Sequence, residues 1–287
     1  MLSRFRRPQA DLSIHVDKTE LRPGEELEAR VVLLPESDFR IRQGTIALAG
    51  TETYVQKTSS QYGTHYSRKR QTLYNMEESF LNDVTVRNGV PHSTDVRLAV
   101  PPDALPTMNG IKVSHVEPGI TWEVTAFLDV AGARDIRCEQ QVIVLRPHAT
   151  DDDVSPRPVV AQTKHEQCTL TLMVSDGDAR SGDTLEGDLR AEMLQDVTAE
   201  EVRVALVRSE KFGNEQKNRT VDEVTFEREV SLRPGHVREW RFKLDVGQVG
   251  VPSLNTEKSS VRWLVKAWLT RNMRRDLRIE QEIRVDV

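Results

Sequence analysis

Cysteine is scarce in this chain: Cys138 and Cys168 are the only two among 287 residues, so no disulfide framework staples it and any fold has to rest on a hydrophobic core. Aromatic residues make up 5%, too few for a surface built to stack sugars or bases. Lys+Arg number 40 against Asp+Glu 45, a net charge of -5, which argues against nucleic acid as a partner. No apolar run reaches the ~18 residues needed to cross a bilayer, and the opening MLSRFRRPQADL lacks the apolar stretch of a secretory signal. The expectation is a cytoplasmic protein with no membrane span. A Gly-rich phosphate loop, a GxSxG elbow, HExxH and CxxC are all missing. The histidines, at 15, 65, 92, 115, 148, 165 and 236, never fall at paired ligand spacing, and His165 with Cys168 stands alone as a three-residue pair, read as an ordinary strand entry. The sequence therefore predicts no enzyme, no metal and no cofactor.

What is present is period-two alternation. Leu12, Ile14 and Val16 alternate with Ser13, His15 and Asp17, and after a turn at Arg22-Pro23-Gly24 come Leu27, Ala29, Val31 and Leu33. Further strands are expected at 45–55, 73–87, 93–100, 120–128 and 136–145, then at 170–174, 184–193, 201–212, 221–232, 237–246, 261–269 and 277–287. No amphipathic helix longer than two turns stands out. The stretch ATDDDVSPRPVVAQT, with three successive acids and two prolines, reads as a linker. The expected layout is a first domain over 1–147, a linker over 148–163 and a second domain over 164–287.

The two halves repeat each other. Setting Leu12 against Leu170 gives an offset of 158 that holds without a gap to Tyr54 against Phe212, with Arg22/Arg180, Gly24/Gly182, Glu28/Glu186 and Glu52/Glu210 among the matches. Asn88-Gly89 against Pro234-Gly235 gives 146, and Trp122 against Trp263 gives 141. The first copy thus carries 12 extra residues between Tyr54 and Asn88 and 5 more before Trp122. The larger surplus falls within Gln56–Gln71, which holds Tyr62, His65 and Tyr66 beside the cations Lys57, Arg68, Lys69 and Arg70, and it is expected either as a long solvated hairpin or as a contact loop for an anionic partner. Such an aromatic and basic mixture suits phosphate or acidic peptide groups. A second basic tip, Arg271, Arg274 and Arg275, is expected at a hairpin turn as a candidate anion contact.

The opening strand followed by LRPGEELEARVVL, and the two closing hairpins ITWEVTAFLDVAGARDIRCEQQVIVL and VRWLVKAWLTRNMRRDLRIEQEIRV, resemble the arrestin clan, which takes in arrestins, alpha-arrestins, a retromer subunit and bacterial sporulation-control proteins. The resemblance covers nearly the whole chain. It implies an all-β protein of two tandem immunoglobulin-like antiparallel β-sandwiches, the arrestin-like fold, with Trp122 and Trp263 as core anchors whose indole N–H groups are satisfied. It also places 56–71 where arrestins carry a finger toward receptors. No PPxY stands in the chain, and Val287 ends it on the last expected strand, so neither ligase recruitment nor a tail-release switch is carried over.

The function expected on this reading is a non-enzymatic scaffold or adaptor that binds a protein partner through 56–71 and the inter-domain groove. The alternative is a protein peripheral to an anionic membrane surface, held by its basic tips. Lys and Arg scattered through edge strands are expected to oppose dimerisation by strand addition.

Overall fold

The computed structural model describes residues 9–110, 112–145, 156–248 and 250–286, and among them every regular element is a strand. The chain divides into two compact units: Met1–Tyr54, Arg68–Asn109 and Glu117–Pro147 form the first, while Val55–Ser67, Gly110–Val116 and His148–Val287 form the second.

In the first half, β1 (Ala10–Val16), β3 (Glu26–Pro35) and β6 (His92–Ala99) make one sheet in the order β1-β3-β6. The other sheet runs β2 (Glu20–Leu21), β9 (Ile136–Val144), β8 (Gly119–Val130), β4 (Phe39–Ser60), β5 (Gly63–Val86), with β7 (Met108–Asn109) also paired to β8. In the second half, β10 (Val159–Lys164), β11 (Cys168–Val174), β13 (Thr184–Met193) and β16 (Val237–Asp245) form one sheet in that order. Its other sheet runs β12 (Asp178–Arg180), β19 (Leu277–Asp286), β18 (Ser259–Thr270), β14 (Val197–Phe212), β15 (Glu215–Leu232), with β17 (Leu254–Asn255) on β18. Each half is a β-sandwich, and alternation dictates its inside. Leu27, Ala29, Val31 and Leu33 of β3 are buried while Glu26, Glu28 and Arg30 between them are exposed, and β13 repeats the pattern with Leu185, Gly187, Leu189, Ala191 and Met193.

The duplication extends to pairing register. Leu27 faces Leu98 as Leu185 faces Leu244, and Gly50 faces Trp122 as Arg208 faces Trp263, which reproduces the offsets of 158, 146 and 141 strand by strand. Backbone kinks are copied as well: Asp83 and Glu229 sit at left-handed φ of 50° and 54° within β5 and β15. Surface ion pairs are matched too. Glu28–Arg97 at 3.0 Å corresponds to Glu186–Lys243 at 2.5 Å, whereas Arg30–Asp95 at 2.7 Å corresponds to Asp188–Arg241 at 3.5 Å with the signs exchanged between strands. Opposition of charge across the strand pair is what both copies keep.

One copied turn carries a residue ill suited to it. Gly132 has φ 71°, and its counterpart Met273 has φ 52° with 99% of its surface exposed. A left-handed backbone is costly for any residue with a Cβ, and Met273 has no packing to lose. Met273→Gly is expected to raise stability by up to about 1 kcal/mol, read as a higher thermal midpoint.

The structure corrects three expectations. Of the two readings of Gln56–Gln71, the hairpin holds and the loop does not: β4 and β5 continue to a two-residue turn at Gln61-Tyr62. Its Thr, Ser and Tyr residues favour strand, but with mostly polar side chains on both faces the apolar alternation that reveals a half-buried strand is missing. In the expected linker, residues 148–155 lie outside the described residues, as do residues 1–8 at the N-terminal end, and Val159–Lys164 is a strand paired with β11. Of the two core tryptophans, both are buried, and Trp122 donates its Nε1–H to the Leu105 carbonyl at 2.9 Å, but Trp263 Nε1 has no hydrogen-bond partner among the described residues.

Candidate functional site

The two surpluses of the first copy have definite places. β14 ends at Phe212, the counterpart of Tyr54, and β15 begins at Glu215, the counterpart of Lys69, so the 12 extra residues fall between Tyr54 and Lys69. Met108 pairs with Ile120 as Leu254 pairs with Val261, so the 5 extra residues fall between Asn109 and Gly119. These are the stretches that contain Val55–Ser67 and Gly110–Val116, the segments of the first half that belong to the second unit.

Within that unit the hairpin tip is tied to the turn between β14 and β15. Asn214 accepts a hydrogen bond from the Lys57 backbone N–H at 2.7 Å and donates its side-chain N–H to the Lys57 carbonyl at 2.8 Å, so one amide side chain serves Lys57 as a neighbouring strand would. Lys57 Nζ lies 2.9 Å from Glu215, and this hydrogen bond raises the lysine pKa above its ordinary value. The ammonium also stands 5.8 Å from the Tyr66 ring centre. Tyr66 packs on a small apolar cluster of Val55, Val113 and Val116, and Lys217 donates to the Lys112 carbonyl at 3.1 Å. Gly110 fits where a Cβ would come 2.4 Å from the Phe212 ring.

The seven residues singled out at 56–71 therefore divide. Lys57 and Tyr66 hold the tip in place. Tyr62, 91% exposed at the turn, and His65 are free of the packing, and Arg68, Lys69 and Arg70 follow, exposed, along β5 in the first unit. The other basic tip divides in the same way. The Arg271 guanidinium bonds to the Gln167 side chain and the Arg275 carbonyl, and its backbone N–H bonds to Asp276 at 3.2 Å, while Arg274 and Arg275 are exposed. A cavity of about 250 Å³ there has Asp196 and Glu200 as well as Arg271 and Arg274 on its walls, an even mixture of charges.

Burial pushes both thiols up, Cys138 and Cys168 each to about 11. Their thiolate fraction at pH 8 is small, so maleimide labelling of the native protein is expected to run on the order of a hundredfold slower than labelling after denaturation. His165 directs a ring nitrogen to the Arg278 carbonyl at 3.1 Å, while Cys168 is wholly buried. Among the described residues no group of three or more His, Cys, Asp or Glu side chains is arranged to hold a metal ion, and no helix is long and apolar enough to cross a membrane.

Sequence reasoning passed over Arg208 and Glu210. They lie two apart on β14, are 5% and 2% exposed, and approach to 2.7 Å, with the guanidinium 5.5 Å from the Trp263 ring centre. The available signal was the match of Glu52 with Glu210 inside an alternating strand, since Glu52 is buried too. No protein-family model matches the chain, and no curated protein matches it.

Proposed function

We propose that this chain is a non-enzymatic, cytoplasmic binding module of the arrestin-like kind that engages an acidic or phosphorylated protein partner along the start of β5. The observation that carries this reading is the 12-residue extension of one copy only. The extension is fixed at its base by Lys57, Asn214 and Tyr66, and it presents Tyr62 and His65, with Arg68, Lys69 and Arg70 further along the same strand. A rigidly held tip that exposes an aromatic and adjoining cations gives large contact area and charge-assisted hydrogen bonds at little ordering cost. The resemblance of LRPGEELEARVVL and the two closing hairpins to the arrestin clan supports it, since that clan binds partners through loops on such sandwiches.

The test compares partner recovery by the intact protein and by a Tyr62→Ala, Arg68→Glu, Lys69→Glu, Arg70→Glu variant in quantitative affinity capture from the native host. Partners should fall at least about tenfold with the variant, and more at low salt than at high. Unchanged recovery would sink the role of β5. A second reading, an anionic lipid surface, is favoured by the fully exposed Met273 between Arg271 and the free Arg274 and Arg275. Flotation with phosphatidylserine vesicles should then be lost in a Met273→Asp, Arg274→Glu variant; absence of flotation by the wild type removes that reading.

A further inference from the structure

The added hairpin ends a sheet. β5 is the last strand in the order β2-β9-β8-β4-β5, and no strand takes up its outer edge among the described residues; its counterpart β15 ends the matching sheet of the second half in the same way. The hydrogen-bond phase along the tip is defined from two directions. A two-residue turn at Gln61-Tyr62 sets Ser60 opposite Gly63 and Lys57 opposite Tyr66, in accord with the 3.4 Å approach of the Ser59 and Thr64 hydroxyls and the Lys57 ammonium over the Tyr66 ring. The second copy, where Phe212 faces Glu215, sets Tyr54 opposite Lys69, which is the same register. Lys57 spends its backbone N–H and carbonyl on Asn214 rather than on β5, so Lys57 and Tyr66 are a non-hydrogen-bonded pair. Thr64, Tyr66, Arg68 and Arg70 therefore direct their backbone groups to the open edge, whereas His65, Ser67 and Lys69 direct theirs to β4.

The geometry points to an extended acidic segment of a partner protein as the occupant, added antiparallel to β5 from Thr64 to Arg70. This inference rests on the reading of β5 as the partner surface and specifies how that surface is used. The edge supplies a ladder of donors and acceptors, and the side chains select what joins it. Alternation puts Arg68 and Arg70 on the face of Tyr66 and Lys69 on the other, and all three cations are exposed. A run of three successive acids meets a cation at every position, on both faces. In antiparallel order the residue two further on comes opposite Tyr66, which already packs on Val55, Val113 and Val116, and an apolar β-branched side chain there continues that row. The preferred segment is thus three acids, any residue, then valine or isoleucine. A second copy of this chain does not fit, because twofold pairing centred on Lys69 sets Arg68 against Arg70 and Lys69 against itself.

The probe is a fluorescent peptide of sequence TEEETVT, titrated against the full chain and followed by anisotropy. In the proposed register its third glutamate lies opposite Arg68 and its valine opposite Tyr66. N-methylation of either removes an N–H aimed at β5 and should weaken binding at least about tenfold. N-methylation of the second glutamate or of the threonine before the valine, whose N–H groups point away, should change it less than about twofold. Amide exchange of Tyr66, Arg68 and Arg70 should slow on binding, while that of Ser67 and Lys69, already bonded to β4, stays as it was. An Arg68→Glu, Lys69→Glu, Arg70→Glu variant should bind the peptide at least about tenfold more weakly. Binding that charge reversal abolishes but that responds alike to N-methylation at every position overturns strand addition and leaves β5 as a basic surface alone. Absence of binding overturns strand addition too, and partner capture from the host with the reversed cations then reports on β5 separately.

Discussion

Replacing Glu210 with alanine is expected to destabilise the protein by about 3–5 kcal/mol. Both members of the Arg208–Glu210 pair are nearly inaccessible, and they point to the same side of β14 because they stand two residues apart. Without the carboxylate, a guanidinium remains buried over the Trp263 ring, and the stacking contact, worth about 2 kcal/mol at best when desolvated, cannot offset the lost counter-charge. Removing both charges is a different matter. An Arg208→Met, Glu210→Leu double variant keeps the volume and leaves no ion to solvate, so it should lie much closer to wild type than Glu210→Ala does. Urea denaturation followed by fluorescence measures all three proteins. A loss below about 1 kcal/mol for Glu210→Ala would mean that water reaches the pair and that the burial described is not maintained.

The surface comparison sharpens this. Lys18–Glu25, Arg30–Asp95 and Arg262–Glu282 have geometry as good, yet their side chains are about a third or more exposed, and deleting any one of them should matter far less than the pair on β14. Bond length alone does not rank them; access to water does.

The same distinction explains what could be read from the residues in order. The sandwiches were legible because Leu27, Ala29, Val31 and Leu33 alternate with charged residues, and the duplication because Trp122 and Trp263 anchor the same position of the same sheet. The arms of the β4–β5 hairpin were not legible as strands, since mostly polar Gln56 to Gln71 carry no period that separates inside from outside. The roles of Lys57 and Tyr66 were hidden for a different reason. Their partners, Asn214, Glu215, Val113 and Val116, are distant in sequence, and a side-chain amide that substitutes for a strand leaves no local pattern. Gly50 and Arg208 occupy the same position opposite a buried Trp, and a glycine matched to an arginine carries no signal in the order of residues, because only the strand register places each against its tryptophan. A Cβ on Gly50 would lie 2.9 Å from the Trp122 ring, so the first copy fills this space with indole and the second with an ion pair.

Gly187→Ala carries the second large expected effect, a loss of about 3 kcal/mol. Gly187 sits directly opposite Phe242, where the first copy has Ala29 opposite Val96. The two pairs divide a similar space differently, small with large in one and medium with medium in the other. A Cβ at Gly187 would come 2.4 Å from the Phe242 ring and 2.2 Å from the Met173 carbonyl oxygen. The ring can be replaced, whereas the carbonyl belongs to β11 and moves only with the sheet. Phe242→Val alone should cost about 2 kcal/mol by leaving a cavity beside the glycine. Combined, the two substitutions restore the pairing that Ala29 and Val96 use, and the added methyl occupies part of that cavity. The double variant is therefore expected to be more stable than the sum of the singles predicts, by at least about 1 kcal/mol in a double-mutant cycle. Simple additivity would mean that the clash with the Met173 carbonyl, rather than the exchange of volume between facing residues, decides the cost at this position.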